Sequence, residues 1–377
     1  GSGDTLKYVN GVFIRGDDYS ADTPTYTKLK ANKKISINGI GGVGTKNDQS
    51  SGVKIEYAEI ESDELVEIEG VGGTSTGTST EAENRTGYVD GVNIWDSTIS
   101  ANASDAEITT ANPYGATLRV DGSAGRADGY VQQGSGIFIA DSTLNTTGVL
   151  HLDGDGGSSS SKISEYSNGI YAFNGTIQAS SVQIEGKGGS STSLDALNAE
   201  GQRIDQISRG VYLHNTSIKA ATGSTNHDGA ISINGEANEG NTDLTGIELR
   251  DSTTLDAETS INLVGKGGSA STNSDWVAGI RLYKADLDAG TTISLEGTGG
   301  KGYGTSNLLN FSEGIKVDQS TISQTGEQGS VIIKGIAGTS EGELNDANGV
   351  SLYGSTIDTQ GTLEIDGKGG QALTATN

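Results

Sequence analysis

The chain has 377 residues, of which 32% are hydrophobic and 59 are glycine, with no cysteine and a net charge of −25. That balance excludes nucleic acid and anionic membrane surfaces as main partners, because phosphate groups are met by clustered Lys and Arg. No apolar run approaches the roughly 20 residues that span a bilayer, and the absence of cysteine excludes disulfides and thiol chemistry.

In chain order, ten units open at Gly11, Gly52, Gly91, Gly136, Gly169, Gly210, Gly246, Gly279, Gly314 and Gly349. Their spacing runs from 33 residues (Gly136 to Gly169) to 45 (Gly91 to Gly136), the period of one supersecondary element in a stacked array. A β-branched residue follows every opening glycine: Val12, Val53, Val92, Ile137, Ile170, Val211, Ile247, Ile280, Ile315 and Val350. A second apolar residue stands two positions on, from Ile14 and Ile55 to Val317 and Leu352. This period of two predicts a half-buried strand. A Ser-Thr-Ile-like step leads to a second alternating segment, as in Val182 and Ile184 or Leu363 and Ile365, which ends in a Gly-rich tetrapeptide. About 22 residues per unit suffice for one β-helical turn of three short strands. Such a turn cannot cover its own apolar face and must stack on its neighbours, which explains how so apolar-poor a chain can have a core.

Polar inserts separate each closure from the next opening glycine, from 5 residues (Asn241 to Thr245) to 20 (Ser190 to Arg209). Length variation at one fixed point predicts loops on one side of a solenoid. Apolar residues within them, Leu194, Leu197, Ile204 and Ile207, then Trp276 and Val277, then Leu308, Leu309 and Phe311, are expected to fold back onto the coil. The sequence therefore predicts an all-β parallel β-helix of about ten coils spanning residues 1–377 as a single domain. The absence of Met and the opening Gly-Ser predict a segment of a longer repeat protein.

Chemistry is sparse. GxGxxG occurs at Gly39-Gly41-Gly44 and at Gly297-Gly299-Gly302, but a dinucleotide site needs a helix to begin there. No helical pattern follows, so these read as turn glycines. His151, His214 and His227 fall in different columns of the repeat and form neither a metal spacing nor a triad. Two outward columns of the opening strand are enriched in rings, among them Tyr171, Phe173, Tyr212, His214 and Tyr283. Stacked rings on a flat sheet would bind sugar faces, or would simply cover the sheet through cross-strand pairs. Coils seven to nine add Glu248, Arg250, Arg281, Lys316 and Asp318 to that face, where β-helical polysaccharide lyases and hydrolases carry charged catalytic groups. Just before the closing glycine, Glu69, Asp121, Asp153 and Glu185 form an acidic column. Its repulsion would be relieved by water, by Lys187, Lys266 and Lys368, or by bound Ca²⁺, which favours clustered carboxylates. The tandem calcium-roll nonapeptide is not present.

The phrase G-[IV]-x-[LI]-x-x-S-T-I with its I-x-I-x-G-x-G-G closure, as in Gly349 to Gly370, resembles the repeat regions of filamentous haemagglutinin-like and related β-helical adhesins. The resemblance covers nearly the whole chain. It implies a right-handed parallel β-helix displayed outside a Gram-negative cell as a structural or adhesive shaft. Its expected partners are carbohydrate or another cell-surface component, together with neighbouring repeats of the parent protein, with no membrane insertion. A polysaccharide-processing enzyme on the same fold is the alternative.

Overall fold

The computed structural model describes residues 6–17, 25–44, 47–75, 86–103, 105–106, 109, 112, 115–127, 130–159, 163–190, 206–222, 228–270, 273–303 and 308–373. Among them there is no helix, and every named strand pairing is parallel and joins one coil to the next. The opening strands, such as Val53–Glu56 and Ile137–Ala140, form one sheet. The strands after the corner, such as Thr98–Ala101, and the closing strands, such as Ser181–Lys187, form two further ladders of ten strands each. The protein is a parallel β-solenoid of about eight turns, against the ten expected. Ten strands stack in each of these two ladders, so the first and last coils are each covered on one side alone. Leu352, Leu363 and Ile365 in the last coil are accordingly exposed, although they continue columns that are buried elsewhere.

The register follows the sequence columns. Val53, Val92, Ile137, Ile170, Val211, Ile247, Ile280 and Ile315 are wholly buried, and Val12 and Val350 in the end coils are half-buried. These side chains meet those of the other two ladders in one continuous core running from Ile37 to Ile333. Two glycine columns make the closure possible. A Cβ on Gly169 would overlap the amide nitrogen of Lys187, and one on Gly186 would overlap the carbonyl of Gly210. The opening and closing strands therefore cross where only bare backbone fits. The corner after the opening strand takes left-handed backbone in coil after coil: Asp96, Asp141, Asn174, Asn215 and Asp251 have φ between 44° and 51°. Asp and Asn adopt this conformation more readily than other residues with a side chain, which accounts for their presence at this corner in five of the coils, whereas Tyr57, Lys284, Gln319 and Gly354 take it in others.

The inserts are more than loops. Asn47–Gln49, Thr86–Tyr88 and Tyr130–Gln133 pair with one another and widen the opening sheet. In the fifth coil, insert and opening strand fuse into Ile163–Phe173. Further along, Val277 and Leu309 are buried in a satellite cluster with Leu244, Ala237 and Ala270, so those inserts do fold back. Leu194, Leu197 and Ile204 lie outside the described residues.

Candidate functional site

The widened part of the opening sheet carries a groove of about 710 Å³ that crosses the first five coils. Its base is the outward column Phe13, Lys54, Asn93, Phe138 and Tyr171, successive residues of which are paired in register. Beside this runs the second outward column, with Arg15, Glu56, Trp95, Ala140 and Phe173. Gln49, Tyr88 and Gln133 from the insert strands line one side, and Tyr57 and Asp141 at the corner line the other. The rings form a continuous path. Trp95 meets Phe138 edge-on at 6.4 Å, and Phe138 meets Tyr171 edge-on at 5.2 Å.

The polar groups of the groove are held in place. Lys54 Nζ donates to Gln49 Oε1 at 2.5 Å and pairs with Glu56 Oε1 at 2.7 Å, while its ammonium lies 5.8 Å from the centre of the Phe13 ring. Arg15 Nε stands 3.7 Å from Glu56. Beneath them is Asp90, fully buried, which accepts from Asn93 Nδ2 at 2.8 Å and from the Ser135 amide at 2.9 Å. Burial pushes its carboxyl up to about 6, and Asn93, Ser135 and Lys54 oppose that rise. The Asn93 side chain is 5% exposed and its Oδ1 has no hydrogen-bond partner.

The rings singled out from the sequence are brought together as their columns require. Tyr171 stacks on Tyr212 at 4.9 Å and 22°, and Phe173 meets His214 at 5.1 Å. Their availability differs from expectation. Tyr212 is only 9% exposed, held between Tyr171 and the Arg209 guanidinium, which lies 4.3 Å from its ring centre. Burial pushes its hydroxyl up to about 12. Tyr171 and Phe173 line the groove, whereas Tyr212, His214, Arg250, Arg281 and Tyr283 lie beyond it. Those later residues belong to a charge cluster centred on buried Glu248. Its carboxylate meets Arg209 Nε at 2.7 Å, Arg281 Nη1 at 3.1 Å and Arg250 Nη1 at 3.8 Å. Burial raises the Glu248 pKa, and the three arginines work against it. Burial likewise disfavours the Arg209 charge, but Asp243 and Glu248 outweigh it and hold its pKa above the usual value. Arg281 also stacks over Trp276 at 4.0 Å, and Tyr283 sits between Arg250 at 5.5 Å and Lys284 at 4.8 Å. His214 Nε2 stands 3.5 Å from Asp251. This half of the face is occupied by its own side chains.

The acidic column is in register from Glu69 through Asp121 and Asp153 to Glu185. Among the described residues no three His, Asp or Glu side chains are grouped so as to hold a metal ion. Strand spacing separates the carboxylates, and Arg119, from the neighbouring outward column, pairs with Asp121 and reaches Glu69 at 3.7 Å. Burial pushes Asp121 up to about 6 and raises Asp153, the latter with help from Asp155 and Glu185. It also drives the His151 imidazole down to about 4.

No protein-family model, curated protein or solved structure matches the chain. The functional reading therefore rests on the groove and on the repeat pattern.

Reading the columns missed most of the polar lining, including Gln49, Glu56, Asn93, Gln133 and Asp141. Gln49 and Gln133 stand in short polar windows before an opening glycine, and only pairing between coils turns those windows into a wall. The usable signal lay in the first four coils, where Phe13, Trp95 and Phe138 already stood in the outward columns.

Proposed function

We propose that this chain is a non-catalytic structural and adhesive module of a large exported bacterial surface protein, making cell–cell or cell–surface contacts outside the cell through bound carbohydrate. The observation that carries this reading is the ring-lined groove over the first five coils, with amide and carboxylate groups set among its aromatic faces. Ring faces stack on the apolar faces of sugars, and fixed polar groups fix their orientation. The resemblance to filamentous haemagglutinin-like repeats supports the setting, with neighbouring repeats of the parent protein covering the ends of the solenoid. Repeated modules on one shaft would add avidity to weak single sites.

The test is a glycan array probed with the purified rod and with a Tyr171→Ser/Phe173→Ser variant. Retention of a defined glycan class, reduced about tenfold or more in the variant with its circular dichroism unchanged, is the expected result. No retention on any glycan refutes the reading. Cleavage of a retained glycan replaces it with a polysaccharide lyase or hydrolase on the same fold.

A further inference from the structure

We infer that the groove takes a linear, uncharged chain of flat-faced pyranoses laid along the axis of the solenoid, one sugar to each coil. This deepens the carbohydrate reading and rests on it.

Direction comes from the register. Each coil presents only two outward positions across the opening strand, such as Asn93 and Trp95, before the chain turns at the corner. Along the axis the same positions recur in five coils at the strand spacing of about 4.8 Å. That step is close to the rise of one pyranose in an extended chain, so a ligand lying along the axis meets the same outward positions at each sugar, filled by a ring in most coils and by polar groups in the others. A ligand lying along a strand would meet one coil.

The exposed rings stand in adjacent outward columns, Phe13 in the first and Trp95 in the second. Phe13 and Trp95 are the most exposed rings of the groove, at 46% and 42%, and they stand two coils apart. An extended β-1,4-linked chain flips alternate units and so presents one ring face to both. Beyond Trp95 the path continues edge-on through Phe138 to Tyr171.

Charge decides the class of sugar. Both cations that line the groove are engaged by groups beside them: Lys54 by Glu56 and Gln49, and Arg15 by Glu56. Asp141, at the rim, accepts from Asn174. A carboxylated or sulfated sugar would meet two carboxylates and would have to draw Lys54 or Arg15 away from Glu56 to gain a partner. A neutral sugar leaves those pairs intact.

The experiment is calorimetric titration of the protein with β-1,4-linked oligomers of glucose and of N-acetylglucosamine, from dimer to hexamer, and with β-1,4-linked glucuronate oligomers of the same lengths. Affinity is expected to rise with each unit up to about five, the number of coils crossed, and then level off. The glucuronate series is expected to bind at least about tenfold more weakly. Trp95→Ser and Phe13→Ser, both at exposed positions, should each weaken the hexamer by about tenfold without changing circular dichroism or melting. Equal affinity for dimer and hexamer, or tighter binding of glucuronate, overturns the neutral axial chain while leaving a glycan-binding module standing. Hexamer binding unchanged in both variants places the ligand elsewhere and overturns it also. Failure of every oligomer together with an empty glycan array removes both readings.

Discussion

Ile170→Asp tests the narrow core where it is most enclosed. Ile170 is wholly buried, faces Ile137 and Val211 in the coils on either side, and lies against Gly154 of the closing column. Truncation to Ala would remove three carbons, about 2.4 kcal/mol at roughly 0.8 kcal/mol each. A residual cavity adds about 1 kcal/mol, so Ile170→Ala should cost about 3–4 kcal/mol. Asp leaves a similar gap and buries a polar group without a partner, a further 1–3 kcal/mol or so, for about 5 kcal/mol in all. The loss spreads to coils four and six, because each coil is stabilised largely by its neighbours. The new carboxyl would have a folded pKa raised above its unfolded value of about 3.9. The folded state then binds the extra proton, so the penalty is smallest below about pH 4 and grows as pH rises above it. Urea melts of wild type, Ile170→Ala and Ile170→Asp, followed by circular dichroism at pH 4 and pH 7, give the measurement. A loss under about 1 kcal/mol for Asp, or an Asp variant that matches Ala at both pH values, would refute the buried assignment.

Two further outcomes follow from the same structure. Gly186→Ala drives a methyl group into the Gly210 carbonyl and the Val211 side chain, and should cost roughly 1–3 kcal/mol in a chemical melt; an unchanged midpoint would show that the strand crossing has slack. Asp90, with a folded pKa of about 6 raised above the unfolded value, gives stability that is fully present below about pH 4 and lost as pH rises through 6. At about 1.4 kcal/mol per unit over two units, that amounts to about 3 kcal/mol. Asp90→Asn should flatten the melting temperature between pH 4 and pH 7.5, and a variant with the wild-type slope would mean that Asp90 is ionised at little cost.

The repeat made the core legible because a core position permits few substitutes. A β-branched residue after every opening glycine, and glycine where two backbones cross, are demands that each coil restates. Ten near-copies therefore disclose the columns, the parallel register and the direction of stacking without any coordinates. Aromatic enrichment of the outward columns was visible for the same reason, and Phe138, Tyr171, Tyr212 and His214 do form a continuous run of rings.

Which of those rings face solvent was decided only in three dimensions. Period-two alternation marks a residue as outward, but Lys54, Asn93, Tyr212, Glu248 and Lys316 all point outward and are nevertheless buried. What covers them comes from the inserts and from adjacent coils: Arg209 over Tyr212, and Trp276 under Arg281 and Lys316. Arg209 and Trp276 sit in the inserts, which follow no repeat, and Trp276 meets Lys316 across forty positions of chain. The acidic column shows the same division, since its register was readable but its compensation by Arg119 was not. The coil can be read from the residues alone, because every copy must satisfy the same packing against its neighbours. The groove was left to the tertiary structure, because it arises where the inserts differ from coil to coil and a periodic pattern has nothing to say.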